Sequence, residues 1–509
     1  MVIFGAACFP KRNVSSVKSI SVTSTSPVAP VFIGVEQNPA VHVRIHLPAG
    51  QQEFTLNKLS VALNETAISD IHKIELFGNG SEAAFDPKHK IAEIVPSSSL
   101  VEIPVAITVK PGLNYIWVSV SLKSSADPDH KIALHVRTLS GSNANNLIVT
   151  EENPATFSKR IGVAIRKAND DNVHTYRIPG IVSTDKGTLV SVYDVRYKNS
   201  GDLPGNIDVG MSRSTDGGKT WEPMKIIMDM GEPNENNGVG DPSILFDPVT
   251  KKIWVSALWS KGNRSIAGSK PGLSPDETGQ FVLVSSDDDG RTWTKPYTIT
   301  PQVKNPAWKL FFPGPGSGIA MQNGDIVFPA QYWDADHIPH STLIYSSDHG
   351  SNWKSGIGAK SNTTESQLVE TTPGTILLNM RDNRGKYRSV ATTTDYGITW
   401  TEHSTSYKDL IDPVCMASIL KVNLRTGGTT KDILFFSNVA SQYARVNMTV
   451  KASTNLGETW PAGNSLLIDE RMSFGYSSLC RVDENTIGLL YEGIRDLYFV
   501  RIPVKEIIP

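Results

Sequence analysis

The chain is 509 residues long, more than one ordinary domain holds, so two domains are expected and one of them is large. Its formal net charge of −2 and pI near 6.6 exclude a general electrostatic pull toward nucleic acid or an anionic membrane, so any bound anion must be held by a local cluster. The 40 Gly and 31 Pro, with many Ser and Thr and few helical periods, point to an all-β protein.

Met1 to Cys8 is apolar, short and without a basic stretch. It reads as a plain tail, with a trimmed export signal and a lipidated Cys8 as the alternative. The tail is expected to extend to residue 29. The three cysteines, Cys8, Cys415 and Cys480, make neither a disulfide framework nor a metal-ligand spacing. Cys415 and Cys480 stand in apolar runs and are expected to be small buried hydrophobes. No run of 18 apolar residues exists, so no membrane span is expected.

Residues 30–152 alternate with period two. Val41, Val43, Ile45 and Leu47 interleave with His42, Arg44 and His46; Ile116, Val118, Val120 and Leu122 interleave with Trp117, Ser119 and Ser121; Ile132, Leu134 and Val136 continue the pattern. Turn signals at Pro48-Ala49-Gly50, Gly78-Asn79-Gly80, Pro111-Gly112 and Ala126-Asp127-Pro128 separate these runs, which predicts a jelly-roll-like β-sandwich. Tyr115 and Trp117 are its candidates for a carbohydrate-binding face, with packing of both rings the favoured expectation.

Beyond Asn153-Pro154 a motif recurs five times. Ser214 to Trp221 has the form Ser-x-Asp-x-Gly-x-Thr-Trp, and copies run from Ser286 to Trp293, Ser346 to Trp353, Thr393 to Trp400 and Ser453 to Trp460. Asn352 replaces Thr in the third copy, Thr393 opens the fourth, and Asn455 replaces Asp in the fifth. In each, Ser and Asp can satisfy the backbone of a tight turn, Gly supplies a positive φ, and Trp fills the space beneath. A period of roughly 60 residues predicts four-stranded sheets, and residues 158–509 suffice for a six-bladed β-propeller. The boxes are then structural and lie away from the chemistry.

Five boxes preceded by Tyr176-Arg177-Ile178-Pro179 resemble the non-viral exo-sialidases (neuraminidases) of glycoside hydrolase family 33, over roughly residues 158–509. Sialic acid carries an ionised carboxylate on its anomeric carbon, which planar, permanently charged guanidinium groups suit. The resemblance implies three converging arginines: Arg177, then Arg381 after the run Ile376 to Met380, then Arg445 ahead of the fifth box. Arg384 competes with Arg381, whose Asn-x-Arg context is preferred. The family's nucleophile is a tyrosine, an exception among retaining glycosidases that spares an anionic anomeric centre the approach of a carboxylate. A phenol with a pKa near 10 needs a base. Tyr476, in Phe474-Gly475-Tyr476-Ser477-Ser478, matches the nucleophile and Glu365 its partner, with Glu370 the competitor that strand alternation turns away. Asp202, in Ser200-Gly201-Asp202-Leu203-Pro204, matches the general acid/base, with Asp208 the alternative. Arg196 resembles an additional active-site arginine and Asp241 an aspartate that meets the sugar's O4 or N-acetyl region; Gln331 and Trp333 are candidates for the glycerol or leaving-group side, with ordinary packing inside the blade as the equal alternative.

What the resemblance implies is a monomeric, secreted or periplasmic exo-α-sialidase acting on sialylated glycans with retention, through a tyrosyl–enzyme intermediate, with no metal or organic cofactor. The alternatives are a trans-sialidase on the same fold and a glycan-binding propeller without chemistry. The joint presence of Tyr476, Glu365, Asp202 and three arginines weighs against the last.

Overall fold

A computed structural model describes residues 19–78, 80–142, 144–231, 237–426 and 429–508. Cys8, with the Met1–Cys8 tail, and Asn79 lie outside the described residues. The chain divides into two units: residues up to 27 with 37–121 and 133–158, and residues 28–36 and 122–132 with 159–509.

In the first unit one sheet has the strand order Thr150–Glu151, Ser21–Thr25, Asn38–Leu47, Gly112–Leu122, Ile71–Phe77, Lys90–Ile94. The second places Leu100–Val109, Phe54–Leu63, Lys131–Gly141 and Ala144–Ile148 side by side. Val41, Val43, Ile45 and Leu47 are buried while Arg44 between them is exposed, as alternation requires. The alternation fails at the end of Gly112–Leu122, where Ser119 and Ser121 are buried along with Val118 and Val120. That strand is covered on both faces, and burial there overrides the polar character of serine. Tyr115 and Trp117 pack: His42 stacks on both rings, at 5.1 and 4.4 Å between centroids, and the Trp117 indole N–H donates to the Ala83 carbonyl at 2.9 Å.

Two parts of the expected layout change. Ser21–Thr25 is a strand paired with Asn38–Leu47, so it is not tail. Residues 28–36 and 122–132 belong to the second unit. The apolar Val31–Ile33 pairs in parallel with Ile161, Gly162 and Val163, and Phe32 stacks on Tyr498 at 4.0 Å. In the other segment Asp127 and Asp129 each meet Lys219 at 2.8 Å. Both attachments join residues far apart in the chain, which periodicity does not reveal.

The second unit is a series of sheets taken up in chain order. The first contains Thr175–Ser183, Leu189–Arg196, Ile207–Ser214 and Lys225–Met228. The second begins with Val239–Asp247, the third is built around Ile326–Trp333 and Pro339–Ser346, the fourth begins with Thr363–Glu370 and the fifth with Ser418–Thr426. The sixth takes Ser477–Arg481, Thr486–Glu492 and Leu497–Pro503, and its fourth strand is Ser158–Arg166 from the start of the unit, antiparallel with Gly162 opposite Val500. First strands adjoin one another around a closed circuit. The Ile181 backbone N–H donates to Ser478 Oγ at 3.2 Å and that of Leu479 to Ser418 Oγ at 3.0 Å. The last sheet is thus completed by a strand from the start of the unit, a connectivity that β-propellers use.

This connectivity explains the repeat. Each Asp-box follows the third strand of its sheet, and the sixth sheet has no box because its fourth strand arrives from elsewhere in the chain. In the first box Ser214 Oγ accepts the Gly218 N–H at 2.8 Å, and Asp216 accepts the Thr220 N–H at 3.0 Å and hydroxyl at 2.6 Å. The departures preserve this bonding. Asn352 donates to Asp348 at 2.7 Å where Thr otherwise does, and Asn455 accepts the Thr459 N–H at 3.0 Å. A Cβ at Gly218 (φ +86) would lie 2.1 Å from the Phe499 ring, so that position tolerates only glycine. Trp353 is fully buried, whereas the other four box tryptophans are half-buried and plug their turns only in part.

Candidate active site

In an antiparallel sheet the start of the first strand, the end of the second and the loop that follows share one end, opposite to the box turns. Tyr176-Arg177, Asp241, Glu365 and Tyr476 stand at or beside first-strand starts. Arg196, Trp333, Arg381 and Glu492 stand at or near second-strand ends, and Asp202 and Arg445 in the loops beyond. A cavity of about 330 Å³ collects most of them. It is lined by Arg177, Asp202, Asp241, Gln331, Trp333, Glu365, Arg381, Arg445 and Tyr476, with Ile178, Ile266, Phe312, Thr364 and Asn383. Arg196 does not line it.

Tyr476 is 5% exposed at the floor. Its hydroxyl donates to Glu365 Oε1, while Arg381 reaches Glu365 Oε2 at 2.6 Å and the Tyr476 oxygen at 3.0 Å. Burial first, and then the Glu365 charge, push the phenol pKa well above its ordinary value, against the pull of Arg381 and Arg177. The phenol therefore stays protonated until a base takes its proton. The Arg177 and Arg445 guanidinium carbons lie 5.1 and 5.8 Å from the centre of the same ring. Three guanidinium groups thus surround one tyrosine, although the chain as a whole is slightly acidic.

Local backbone makes the convergence possible. The strand Thr175–Ser183 has a register shift between Arg177 and Gly180, and Ile178 has φ +57, a conformation branched side chains rarely adopt. Such strain persists where surrounding contacts over-determine it. Gly475, just before Tyr476, has φ +93, and a Cβ there would stand 2.9 Å from the Cys415 sulfur and 3.3 Å from Arg445 Cδ. Cys415 and Cys480 are buried free thiols.

Two carboxylates that sequence reasoning missed hold the frame. Glu492, fully buried, accepts Arg177 Nε at 3.1 Å, the Ile178 N–H at 2.9 Å and the Tyr476 N–H at 2.9 Å. It ties the first arginine to the tyrosine. Asp194, 1% exposed, accepts Arg196 Nε and Nη2 at 3.0 and 2.8 Å and the Asp241 N–H at 2.9 Å. Each is the single acid of a mainly apolar strand, Thr486–Glu492 and Leu189–Arg196, and a lone acid in such a run is the signal that marks it. Burial opposes the charge on Arg177 and Arg381, yet Glu492 beside the first and Glu365 beside the second raise their pKa above the usual guanidinium value.

The competitors lie elsewhere. Arg384 turns back onto the Ser361 carbonyl at 3.1 Å and onto Asp382. Glu370 sits at the far end of its strand, accepting the Gln322 and Gly374 N–H groups at 2.8 Å each. Strand length, more than face alternation, removes it. Asp208 is buried and accepts the Tyr197 hydroxyl at 2.9 Å. Gln331 donates to the Pro313 carbonyl at 3.2 Å. Part of the wall is apolar, built on the cluster Leu203, Ile207, Leu258, Leu310 and Phe312, against which Ile266 and Trp333 pack. Burial and the neighbouring Asp194, Asp202 and Glu365 push the Asp241 carboxyl well up. A larger cleft of about 1140 Å³ is lined by already paired groups, including Arg160 with Glu506 and Arg501 with Asp129, and contains no nucleophile beside a base among the described residues.

A tyrosine hydrogen-bonded to a carboxylate and three guanidinium groups meet on one cavity of about 330 Å³, an arrangement with the charge to hold an anion. Residues 187–490 match the BNR repeat-like domain and residues 18–145 the N-terminal domain of BNR-repeat neuraminidase. A sialidase of Bacteroides fragilis is 40% identical over the whole of this chain and 99% of its own length. A sialidase of Micromonospora viridifaciens is 34% identical over 63% of this chain and 50% of its own. The solved structure of the Hadza microbial sialidase Hz136 superposes with a TM-score of 0.89 at 38% identity, covering 95% of this chain and all of that one. The chain belongs to the BNR-repeat sialidase family and is an enzyme of that class. No helix among the described residues is long and apolar enough to cross a membrane.

Proposed function

We propose that the protein is a retaining exo-α-sialidase that removes terminal sialic acids from glycoproteins, glycolipids and oligosaccharides. The observation that carries this reading is the shared contact of Tyr476, Glu365 and Arg381 at the floor of a cavity that also receives Arg177, Arg445 and Asp202. Arg177, Arg381 and Arg445 hold the substrate carboxylate, and the apolar wall with Asp241 and Gln331 receives the rest of the sugar. The ring of sheets acts as a six-bladed propeller presenting this end to solvent. Such substrates suit a secreted or periplasmic monomer.

In the first half-reaction the Tyr476 oxygen bonds to the anomeric carbon as its proton passes to Glu365. The glycosidic C–O bond breaks, and the departing oxygen takes a proton from Asp202. In the second, Asp202 takes a proton from water, whose oxygen bonds to the anomeric carbon. The tyrosyl C–O bond breaks, and Glu365 returns its proton to Tyr476. The neutral phenol avoids the repulsion that a carboxylate nucleophile would meet beside the substrate's own charge.

The test is hydrolysis of sialyllactose followed by proton NMR. Release of the α-anomer first, abolished in Tyr476→Phe, is expected. First release of the β-anomer, or turnover of the variant near the wild-type rate, contradicts the reading.

A further inference from the structure

Five sheets follow their third strand with a box, and the sixth does not. There the third strand, Leu497–Pro503, runs into one short turn, Val504–Glu506, and this turn lines the cleft of about 1140 Å³. Another part of the lining comes from the fifth sheet: Leu424, Lys431 and Ile433 near the hairpin that joins its first two strands, and Thr454 of its box. A hairpin between first and second strands lies at the box end, so the cleft stands at the end away from the catalytic cavity. Every residue that lines it belongs to the second unit.

Positive charge is concentrated here in a chain whose net charge is −2. Lys131, Arg160, Lys431, Arg501 and Lys505 line the cleft against two acids, Asp129 and Glu506. Each acid already serves two cations. Glu506 Oε2 meets Arg160 at 2.7 Å and Lys131 at 3.2 Å, while Asp129 meets Arg501 at 2.6 Å and Lys219 at 2.8 Å. Burial works against the Glu506 charge, yet Arg160 and Lys131 hold its pKa below the ordinary carboxylate value. Lys431 and Lys505 are exposed and form no ion pair among the described residues. The arginines, 12% and 9% exposed, fix part of the charge in the walls, and the two lysines are free to reach a ligand. The same cleft presents Leu424, Ile433, Val504 and Ile508. A surplus of cations beside an apolar surface suits an anionic group on a carbon frame, and the volume suits more than one sugar ring.

We propose that this cleft is a second binding site, for a carboxylate-bearing oligosaccharide, and that it holds one sialylated branch of a polyvalent substrate while the cavity cleaves another. The proposal rests on sialylated glycans being the substrate. No bond is made or broken in the cleft. Holding one branch raises the local concentration of the others, so the benefit falls on polyvalent substrates alone.

The experiment counts sites by calorimetric titration of 3′-sialyllactose into the full-length Tyr476→Phe protein, which does not turn it over, with lactose as the neutral control. Two sites per chain are expected for sialyllactose and none for lactose. Adding Lys431→Glu and Lys505→Glu should remove one site, and adding Arg381→Ala should weaken the other. In otherwise wild-type enzyme the two lysine changes should leave kcat/KM for 4-methylumbelliferyl α-sialoside within about 2-fold and raise KM for sialylated mucin about 10-fold or more, the mark of lost avidity. A single site in Tyr476→Phe, a second site that survives both lysine changes, or equal binding of lactose would overturn the proposal. Equal losses on mucin and the aryl substrate would also overturn it, because a remote anchor does not act on a monovalent substrate. Should Arg381→Ala leave both sites at full strength, the reading of the cavity fails by itself, and the lysine changes still decide the cleft.

Discussion

Aspartates at the two ends of the ring have opposite fates. At the box end, burial works against the Asp288 charge, but the Thr292 hydroxyl and backbone N–H, with Ser286, hold its pKa at about 2. Asp395 is likewise held at about 2 by the backbone N–H and hydroxyl of Thr399 and the hydroxyl of Thr393. At the cavity end, burial and three other carboxylates push Asp241 well up. The box aspartates find their donors within four residues, so each turn is self-sufficient and was copied five times. Cavity groups also draw partners from other sheets, as Glu365 does Tyr476 and Arg177 does Glu492. Local bonding makes a repeatable part, and convergence makes a single site.

The sharpest way to break this contrast is to damage one end and watch the other. Tyr476→Phe should lower kcat for sialyllactose by about 10⁴-fold or more, the scale of losing a nucleophile, with the melting temperature nearly unchanged. Glu492→Ala leaves Arg177 buried without its partner and should cost roughly 3–5 kcal/mol of stability by denaturant titration, the usual price of breaking a buried ion pair. Arg381→Ala removes charge-assisted bonds of roughly 1.5–3 kcal/mol and should weaken free sialic acid about 10- to 100-fold. An unaltered affinity there would redirect attention to Arg384. Asp288→Ala at the far end should lower the melting temperature by a few degrees and leave kcat alone, and a loss of activity would deny the separation of the two ends.

The smallest effect is in acid. A carboxylate whose folded-state pKa is depressed contributes stability fully above its unfolded value of 3.8, and loses that contribution as pH falls through about 2. The melting temperature of wild type should therefore decline across that window more steeply than that of Asp395→Asn. Parallel curves would show that the box bonds do not depend on charge.

The same contrast decides what was legible in the sequence. The boxes were readable because each is contiguous, and five copies implied sheets of about 60 residues. The cavity residues were readable only through short strings, Tyr176 to Pro179 and Phe474 to Ser478, whose resemblance supplied roles that spacing alone does not. Glu492 and Asp194 carry no string, since each is one acid in an apolar strand with partners up to 315 residues away. Arg196 was legible but its partner was not, because which atoms a guanidinium meets depends on the Asp194 carboxylate beside it. The strand Val31–Ile33 was assigned to the sandwich by its position in the chain, yet it pairs with Ile161 to Val163.

The central claim, that Tyr476 forms the covalent bond, is tested most directly by trapping. The wild-type enzyme would be quenched with 2,3-difluorosialic acid, whose fluorine slows the second half-reaction, and then digested and sequenced by mass spectrometry. One added fluorosialyl group on the peptide containing Phe474-Gly475-Tyr476, localised to the tyrosine, is the predicted result. An adduct on Glu365 or Asp202, or none from an enzyme that still turns over sialyllactose, would contradict it.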